Sequence, residues 1–264
     1  VISGDVLTDF DLTAIHKFHE EKNSVATLSL YSSENPLQYG IVLTDKDNKI
    51  VRFLEKPSSS EVFSDTINTG IYCFNKEIFQ YIPEGENFDF SKDLFPYLLE
   101  HKLPLYGFKS EGYWRDVGNL EEYISANLDV LGGKLSHILF NDKNGNCVSD
   151  TAIIEEGAIV ENSVIGNEVL IEKGAEVRNS ILWNNVIIHS NSKILFDVIG
   201  KNCEVGENTR VNDFVFIGDN CLIGKNVFIS SSLKIWDKKT IDNNAKVTRS
   251  LIQEDTFFND LFTD

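Results

Sequence analysis

The stretch between Ile154 and Leu233 decides the fold, and one period of it reads Val160-Glu-Asn-Ser-Val-Ile165-Gly166-Asn-Glu-Val-Leu-Ile171-Glu-Lys-Gly-Ala-Glu-Val177. An aliphatic residue recurs every five or six positions, and a glycine or small polar residue often follows it. The pattern holds over five turns, and 17 residues separate the apolar residues that open successive turns. Those residues are Val160, Val177, Ile194, Val211 and Phe228.

A fixed period of this length is typical of a solenoid, in which each turn stacks on the one before it. Three short strands would close one triangular coil, with one aliphatic residue per strand pointing inward and the small residue after it turning the corner. The stretch resembles the hexapeptide-repeat left-handed β-helix, whose ideal coil is three hexapeptides long. A period of 17 therefore predicts one shortened corner per coil, at 177–182 and 194–199. An antiparallel sandwich is the alternative, but sandwiches do not keep a fixed period over five turns.

Composition and charge limit the classes of protein to which this sequence could belong. The 264 residues are enough for two ordinary domains, and an apolar content of 42% can supply a sizeable core. The net charge of −17 argues against nucleic acid or an anionic membrane as a partner, although a phosphorylated substrate needs only a few local cations. Four cysteines without a CxxC pair suit a reducing compartment. Because neither a signal peptide nor a long apolar span is evident, we expect a cytoplasmic location.

Residues 1–134 alternate between strand-like and helix-like segments, which predicts an α/β domain. The first strand is expected at 1–3 and buried, and helices are expected at 12–21, 76–81, 91–100 and from Asn119 to Leu131. We expect a linker at 135–146, the β-helix at 147–252 and an apolar tail at 253–264 that could cap the last coil. The sequence contains no Met, so we expect that Val1 is not the natural start and that the chain is part of a longer protein.

Two acidic residues stand at predicted strand ends, where open α/β sheets bind ligands. Asp5 and Asp116 each follow an apolar strand. Mg²⁺ takes one or two carboxylates together with phosphate oxygens, so either residue could hold that ion. Taken singly, each is also what an ordinary strand-ending turn looks like.

Three further clusters could contact a ligand at the same ends. Glu55 and Lys56 could bond a sugar hydroxyl and neutralise a phosphate, although such a pair is often a solvated turn. Asn68-Thr69-Gly70 could hydrogen-bond the hydroxyls of a ligand and let that ligand approach the backbone, or it could be a β-bulge. Gly40 could lie against a ligand ring, or serve as a plain turn glycine.

The sequence gives less support for a catalytic or metal-binding role of its histidines. His189 stands where the repeat would have a glycine, and hexapeptide acyltransferases use a histidine between coils. The loop insertions that build such sites are missing from this repeat. His16 and His19 share one face of a predicted helix, but the surrounding residues do not form an HExxH zinc motif.

Six motifs, taken together and in order, resemble those of the sugar-1-phosphate nucleotidyltransferases. The appended repeat resembles the β-helix of mannose-1-phosphate guanylyltransferases and glucose-1-phosphate nucleotidyltransferases. The likeness covers nearly the whole chain and, with Ser-Leu-Lys-Ile-Trp236, is nearest to bacterial and archaeal guanylyltransferases. The six motifs are Val-Ile-Ser-Gly-Asp5, Tyr39-Gly40, Phe-Leu-Glu55-Lys56-Pro57, Ile-Asn68-Thr69-Gly70-Ile-Tyr72, Phe90-Ser-Lys-Asp-Leu-Phe-Pro96 and Gly-Tyr-Trp-Arg-Asp116-Val-Gly-Asn119.

The resemblance implies a Mg²⁺-dependent reaction in which a nucleoside triphosphate and a sugar 1-phosphate give an NDP-sugar and pyrophosphate. GDP-mannose is the product we expect, and a homo-oligomer is expected because β-helix domains commonly mediate self-association. By the same likeness, Mg²⁺ goes to Asp5 and Asp116, the sugar phosphate to Lys56, the sugar hydroxyls to Gly40, Glu55 and Asn68, and Thr69 and Gly70 line the same pocket.

One departure from the family concerns the nucleotide. The family's GxGxRxxP-like loop, which cradles the triphosphate, and the base pocket that follows it are not among these residues. We therefore expect that these 264 residues alone do not catalyse transfer. The alternatives are a glucose-1-phosphate nucleotidyltransferase and a non-catalytic regulatory homologue with the same two-domain layout. The presence of both Asp5 and Asp116 favours an enzyme, provided that their carboxylates meet at one site.

Overall fold

The computed structural model describes residues 1–135 and 145–252 of the chain. It divides the chain into a first unit, Val1–Val117, and a second unit that begins at Gly118. The predicted tail at 253–264 and most of the predicted linker lie outside the described residues. Among the described helices, none combines the length and apolar character needed to span a bilayer.

A five-stranded sheet with the spatial order β4-β3-β5-β2-β6 forms the first unit, and a separate antiparallel pair joins β1 to β7. Within the large sheet β2 and β6 are parallel, and the remaining pairs are antiparallel. The strands are β1 (Val6–Thr8), β2 (Ala26–Ser32), β3 (Gly40–Thr44), β4 (Ile50–Glu55), β5 (Thr66–Phe74), β6 (Leu105–Lys109) and β7 (Trp114–Asp116). The helices are α1 (Leu12–Glu21) and α2 (Phe95–Glu100), with 3₁₀ turns at Pro36–Gln38 and Lys76–Tyr81 and a π-helical turn at Phe90–Leu94.

Burial of β2 organises the core of the first unit. Its residues Ala26 and Leu28 are fully buried, and they belong to the same apolar cluster as Phe95 and Leu98 of α2. Helix α1 begins at the predicted position because the Asp11 side chain accepts a hydrogen bond from the backbone N–H of Ala14 over 3.0 Å.

The prediction of a buried strand at residues 1–3 is wrong. The segment bonds to β5, since the backbone N–H of Ser3 donates to Gly70 O over 2.9 Å, but the bridge between Ile2 and Ile71 is isolated. Val1 and Ile2 are 64% and 49% exposed, so the segment is not part of the buried core. Strand β1, which the sequence analysis did not predict, follows directly after Asp5.

Three parallel six-stranded sheets form the second unit, and each coil contributes one strand to each sheet. This is a parallel β-solenoid of about six turns, consistent with the predicted left-handed β-helix. Its strands, β8 to β25 in chain order, are Cys147–Val148, Ile153–Ile154, Ile159–Glu161, Val164–Ile165, Leu170–Ile171, Glu176–Arg178, Ile181–Leu182, Ile187–Ile188, Lys193–Leu195, Val198–Ile199, Glu204–Val205, Arg210–Val211, Phe216–Ile217, Leu222–Ile223, Phe228–Ile229, Lys234–Ile235, Thr240–Ile241 and Lys246–Val247.

The period of 17 holds for the first coils and then lengthens. Val160 pairs with Val177, Val177 with Ile194 and Ile194 with Val211, as predicted. Val211 pairs with Ile229 rather than with Phe228, so the prediction for Phe228 is wrong by one residue. Ile229 is fully buried and Phe228 is 37% exposed, because neighbouring residues of a strand point to opposite faces.

Asparagine turns most of the corners, rather than the glycine that follows the inward residue. Asn202 and Asn220 adopt φ values of 57° and 60° two residues after Gly200 and Gly218. At position 200, a Cβ atom would lie 2.7 Å from the backbone carbon of Gly218 in the next coil. These glycines are therefore required by the close approach of successive coils, whereas asparagine supplies the left-handed conformation.

Helix α3 (Leu120–Leu131) packs on the solenoid, although the sequence analysis placed it in the α/β domain before the linker. Its predicted start is observed, since Asn119 Oδ1 accepts a hydrogen bond from the backbone N–H of Glu122 over 2.8 Å. Ile124 on its apolar face belongs to one cluster with Ile181, Val198 and Phe216. The apolar face of α3 is thus buried by the outward side chains of one solenoid sheet.

Candidate active site

All eight residues that the sequence analysis proposed for the site line one cavity of about 220 Å³ in the first unit. The ends of β3, β4 and β7, a bulged interior segment of β5 and the turn before β1 bring them together. Asn68-Thr69-Gly70 therefore lies within a strand rather than at the strand end where the sequence placed it. They are Asp5, Gly40, Glu55, Lys56, Asn68, Thr69, Gly70 and Asp116. The lining residues without a predicted role are Ser3, Val6, Gln38, Tyr39, Ser91 and Trp114.

The pairing of β1 with β7 brings Asp5 and Asp116 to the same place. Val6 and Asp116 are register partners, and the backbone N–H of Val117 donates to Asp5 O over 2.8 Å. Both residues line the cavity, and two aspartates are a donor set that fits a hard divalent cation taking its other ligands from phosphate or water. Within residues 1–135 and 145–252, no cluster of three or more His, Cys, Asp or Glu side chains suits a metal ion.

Glu55 carries an unpaired buried oxygen. Its Oε2 has no hydrogen-bond partner among the described residues, and burial raises the pKa of Glu55 against the opposing effect of neighbouring Lys56. A buried acceptor without a partner is costly, and a ligand hydroxyl can satisfy it. Glu55 is therefore placed to accept a hydrogen bond from a polar ligand in the cavity.

Lys56 has an unusual backbone, with φ at 45° directly after β4 and directly before Pro57. The backbone N–H of Lys56 donates to Tyr39 O over 3.1 Å, which holds the residue in place. Left-handed conformations of residues other than glycine and asparagine are uncommon and tend to occur at functional sites. Lys56 lines the cavity from this constrained position.

Gly40 is required by Glu55, independently of any ligand. The two residues are register partners on β3 and β4. A Cβ atom at position 40 would lie 2.6 Å from Glu55 Oε2 and 2.8 Å from Phe53 Cζ. The predicted contact of Gly40 with a ligand ring remains a prediction.

The segment Asn68-Thr69-Gly70 is both a β-bulge and part of the cavity lining, two roles between which the sequence alone does not decide. The β2–β5 register shifts between Leu28 and Leu30, opposite this segment, and Gly70 has φ at 75°. Asn68 Nδ2 donates to Tyr72 Oη over 2.9 Å, and Asn68 Oδ1 accepts from the backbone N–H of Gly70 over 3.2 Å. The amide of Asn68 is thereby held in one orientation.

Thr69 lines the cavity, but its hydroxyl is bonded inside the sheet. Its side chain is 1% exposed, and Oγ1 donates to Ser29 O over 2.9 Å in the sheet. Trp114 Nε1 donates to Thr69 O over 3.0 Å, which fixes the indole at the cavity wall. Trp114 and Ser91 belong to the motifs of the resemblance, but motif position alone did not indicate that they line the site.

His189 does not offer the free base that acyl transfer would need. Its Nδ1 lies 3.0 Å from Glu172 Oε1, and its Nε2 lies 2.7 Å from Glu204 Oε1. Burial by itself would lower the pKa of His189, but these two hydrogen-bonded carboxylates outweigh it and raise the pKa. Because only the imidazolium donates from both nitrogens, the geometry favours a charged, structural histidine.

Comparisons with known proteins place the chain in a family. The model described as nucleotidyl transferase matches residues 1–132, half of the chain, and the model described as GMPPB C-terminal domain matches residues 143–252. The fold and the cavity thus define a nucleotidyltransferase-type α/β unit followed by a β-helix. The chain belongs to the nucleotidyl transferase family.

Three relatives have names that state different activities. A UTP–glucose-1-phosphate uridylyltransferase of Synechocystis sp. is 40% identical over 140 residues, which cover 52% of this chain and 36% of that protein. A mannose-1-phosphate guanylyltransferase of Mycobacterium tuberculosis is 32% identical over 63% of this chain and 46% of its own length. A glucose-1-phosphate adenylyltransferase of Clostridium novyi is 33% identical over 64% and 48%. The matched part is thus less than half of each of these relatives.

Proposed function

We propose that the cavity binds the sugar 1-phosphate of a nucleotidyl transfer reaction. The observation that carries the proposal is the meeting of eight motif residues from five separate stretches of sequence at one cavity. Such a cavity has the polar groups that this ligand requires: a cation for the phosphate, and a carboxylate and a fixed amide for hydroxyls. The family membership supports the same class of reaction.

Each side chain then has a defined task. The Lys56 ammonium pairs with the phosphate, while Glu55 Oε2 and the Asn68 amide bond sugar hydroxyls. In the reaction, a phosphate oxygen of the sugar 1-phosphate bonds to the α-phosphorus of a nucleoside triphosphate, and the bond to pyrophosphate breaks. The protein contributes by holding the two anions in line.

Asp5 and Asp116 would hold Mg²⁺ in this scheme. When bound, the ion would offset the charge of phosphate oxygens next to the two carboxylates. The donor chemistry fits, since both residues line one cavity and both carry carboxylate oxygens. Their removal is expected to abolish any Mg²⁺ dependence of ligand binding.

GDP-mannose is the product we favour, with mannose 1-phosphate as the sugar substrate. The guanylyltransferase relative and the family model for the second unit support this choice. A glucose 1-phosphate substrate is the second candidate, because the uridylyltransferase and adenylyltransferase relatives are of comparable similarity. The cytoplasmic location and the homo-oligomer remain predictions.

The test measures the binding of a panel of ligands to the 264-residue chain and to its Glu55→Gln variant. We expect mannose 1-phosphate to bind more tightly than glucose 1-phosphate, free mannose or inorganic phosphate, and the variant to bind the sugar phosphate more weakly. A preference for glucose 1-phosphate would favour the second candidate. Equal affinity for the sugar phosphates and inorganic phosphate would contradict the proposed site.

We also expect no NDP-sugar formation from mannose 1-phosphate and GTP by these 264 residues alone. The glycine-rich loop of the resemblance, which would hold the triphosphate, is not among them. A pyrophosphate-release assay measures this directly, and turnover above the background of an Asp116→Ala variant would contradict the expectation. A regulatory homologue would also lack turnover, but it would not bind sugar phosphate in a Mg²⁺-dependent way.

A further inference from the structure

Ser3 lies at the candidate active site, and the motifs assign it no role. Its side-chain hydroxyl donates a hydrogen bond to Asp5 Oδ1 over 2.6 Å. The second carboxylate oxygen, Oδ2, makes no hydrogen bond within the part of the chain that the structure describes. Both residues line the cavity that also holds Asp116. One oxygen of Asp5 is thus engaged by the protein, and the other remains available to a ligand.

The backbone of Ser3 is held at two points. Its N–H donates to Gly70 O over 2.9 Å, and its carbonyl accepts from the N–H of Val6 over 3.4 Å, which closes the turn that contains Asp5. Gly70 leaves space for this arrangement, since a Cβ atom there would lie 3.1 Å from Ser3 Cβ. The hydroxyl therefore meets Asp5 from a position that β5 determines.

From this geometry we infer that Ser3 is a positioning residue, which fixes the Asp5 side chain for binding a divalent cation. The inference rests on the proposed function, because it concerns the metal site proposed for Asp5 and Asp116. A carboxylate has several staggered rotamers available, and a hydrogen bond to one oxygen selects among them before the ion arrives. Loss of such a supporting bond lowers metal affinity by about ten- to a hundredfold.

The chain offers a matched control for this bond. Ser58 Oγ donates to Glu61 Oε2 over 2.6 Å, the same length, and both of these residues lie outside the cavity lining. Ser58→Ala thus removes an exposed serine–carboxylate hydrogen bond of the same kind at a place unrelated to the proposed metal site. Ser3→Thr keeps the hydroxyl and serves as the rescue variant.

The experiment is a titration with Mn²⁺ alone, read by electron paramagnetic resonance, on the 264-residue chain and four variants. We expect Ser3→Ala to raise the Kd for Mn²⁺ about tenfold, Ser58→Ala to leave it unchanged, Ser3→Thr to restore it and Asp5→Asn to abolish the site. Circular dichroism verifies that each variant is folded.

Two results would count against the inference in different ways. An unchanged Kd for Ser3→Ala, with the site lost in Asp5→Asn, would show that Asp5 binds the ion without help from Ser3. Unchanged binding by Asp5→Asn would instead remove the proposed metal site itself, and the role of Ser3 with it.

Discussion

At Gly40 the backbone of β3 runs directly against the carboxylate of Glu55, its register partner on β4. Glycine is required there because a larger residue would displace the side chain that carries the unpaired oxygen. Lys56 and Gly70 are the other backbone constraints of the cavity, with φ values of 45° and 75°. Three lining residues are therefore conformationally restricted before any ligand binds.

Replacing Gly40 by alanine tests this arrangement. The added Cβ would overlap Glu55 and Phe53, and we expect a loss of about 1–3 kcal/mol in the free energy of unfolding. Sugar-phosphate binding should weaken in parallel because Glu55 is displaced. Gly4→Ala is the control, because no atom lies within 4 Å of the added Cβ at that position. Chemical denaturation compares the free energies of unfolding of the two variants. Equal stability of the two variants would contradict the account of Gly40.

At the scale of elements, the solenoid coils are joined by side chains as well as by backbone ladders. His189 bridges neighbouring coils through Glu172 and Glu204, and Glu172 also accepts hydrogen bonds from the N–H and hydroxyl of Ser190. Asn202 extends a ladder along one corner, bonded to Asn185 over 2.9 Å and to Asn220 over 3.1 Å. Such ladders add to the pairing of parallel coils.

The histidine bridge predicts a pH dependence of solenoid stability. The folded pKa of His189 is raised above the ordinary histidine value of 6.5, so the stabilising effect of the bridge is complete below that pH and is lost as pH rises through the folded pKa. We expect the melting temperature of the second unit to fall over this range, and the fall to be smaller in His189→Gln. Thermal unfolding at several pH values measures it.

His101→Gln is the control for that series, since His101 is exposed and belongs to the first unit. It should leave the pH profile of the second unit unchanged. Identical profiles for His189→Gln and the unmodified chain would mean that the bridge contributes nothing to stability.

At the scale of the whole molecule, the coil lengthens from 17 to 18 residues after Val211. The inward column changes accordingly, because Val211 and Ile217 are six residues apart, whereas Val177 and Leu182 are five apart. The two predicted shortened corners are confirmed, and the later coils do not share them. The length of a coil thus depends on local corner geometry.

A matched pair of substitutions tests this register. Ile229→Ala removes a fully buried side chain, and we expect it to cost about 2–5 kcal/mol in the free energy of unfolding. Phe228→Ala, at the exposed neighbouring position, should change stability by only about 0.5 kcal/mol. Urea denaturation of both variants gives the comparison, and the reverse ranking would support the period of 17 instead.

Much of this organisation could be predicted from sequence, for identifiable reasons. The solenoid follows from the regular recurrence of aliphatic residues, and the site residues follow from short motifs at strand ends and, for Asn68-Thr69-Gly70, within β5. Strand β1 was missed because three residues carry too little pattern, although its pairing with β7 places Val6, the residue after Asp5, opposite Asp116. The contact between Gly40 and Glu55 and the bond between Ser3 and Asp5 depend on tertiary register, which no local pattern encodes.

The most direct test of the sugar-phosphate site is a calorimetric titration of mannose 1-phosphate into the unmodified chain and its Lys56→Ala variant. Lys76→Ala, an exposed lysine outside the cavity lining, is the control. Losing a charge-assisted bond to phosphate should raise the Kd of Lys56→Ala about ten- to a hundredfold, with Lys76→Ala unchanged. Equal affinities for Lys56→Ala and the unmodified chain would contradict the proposed function.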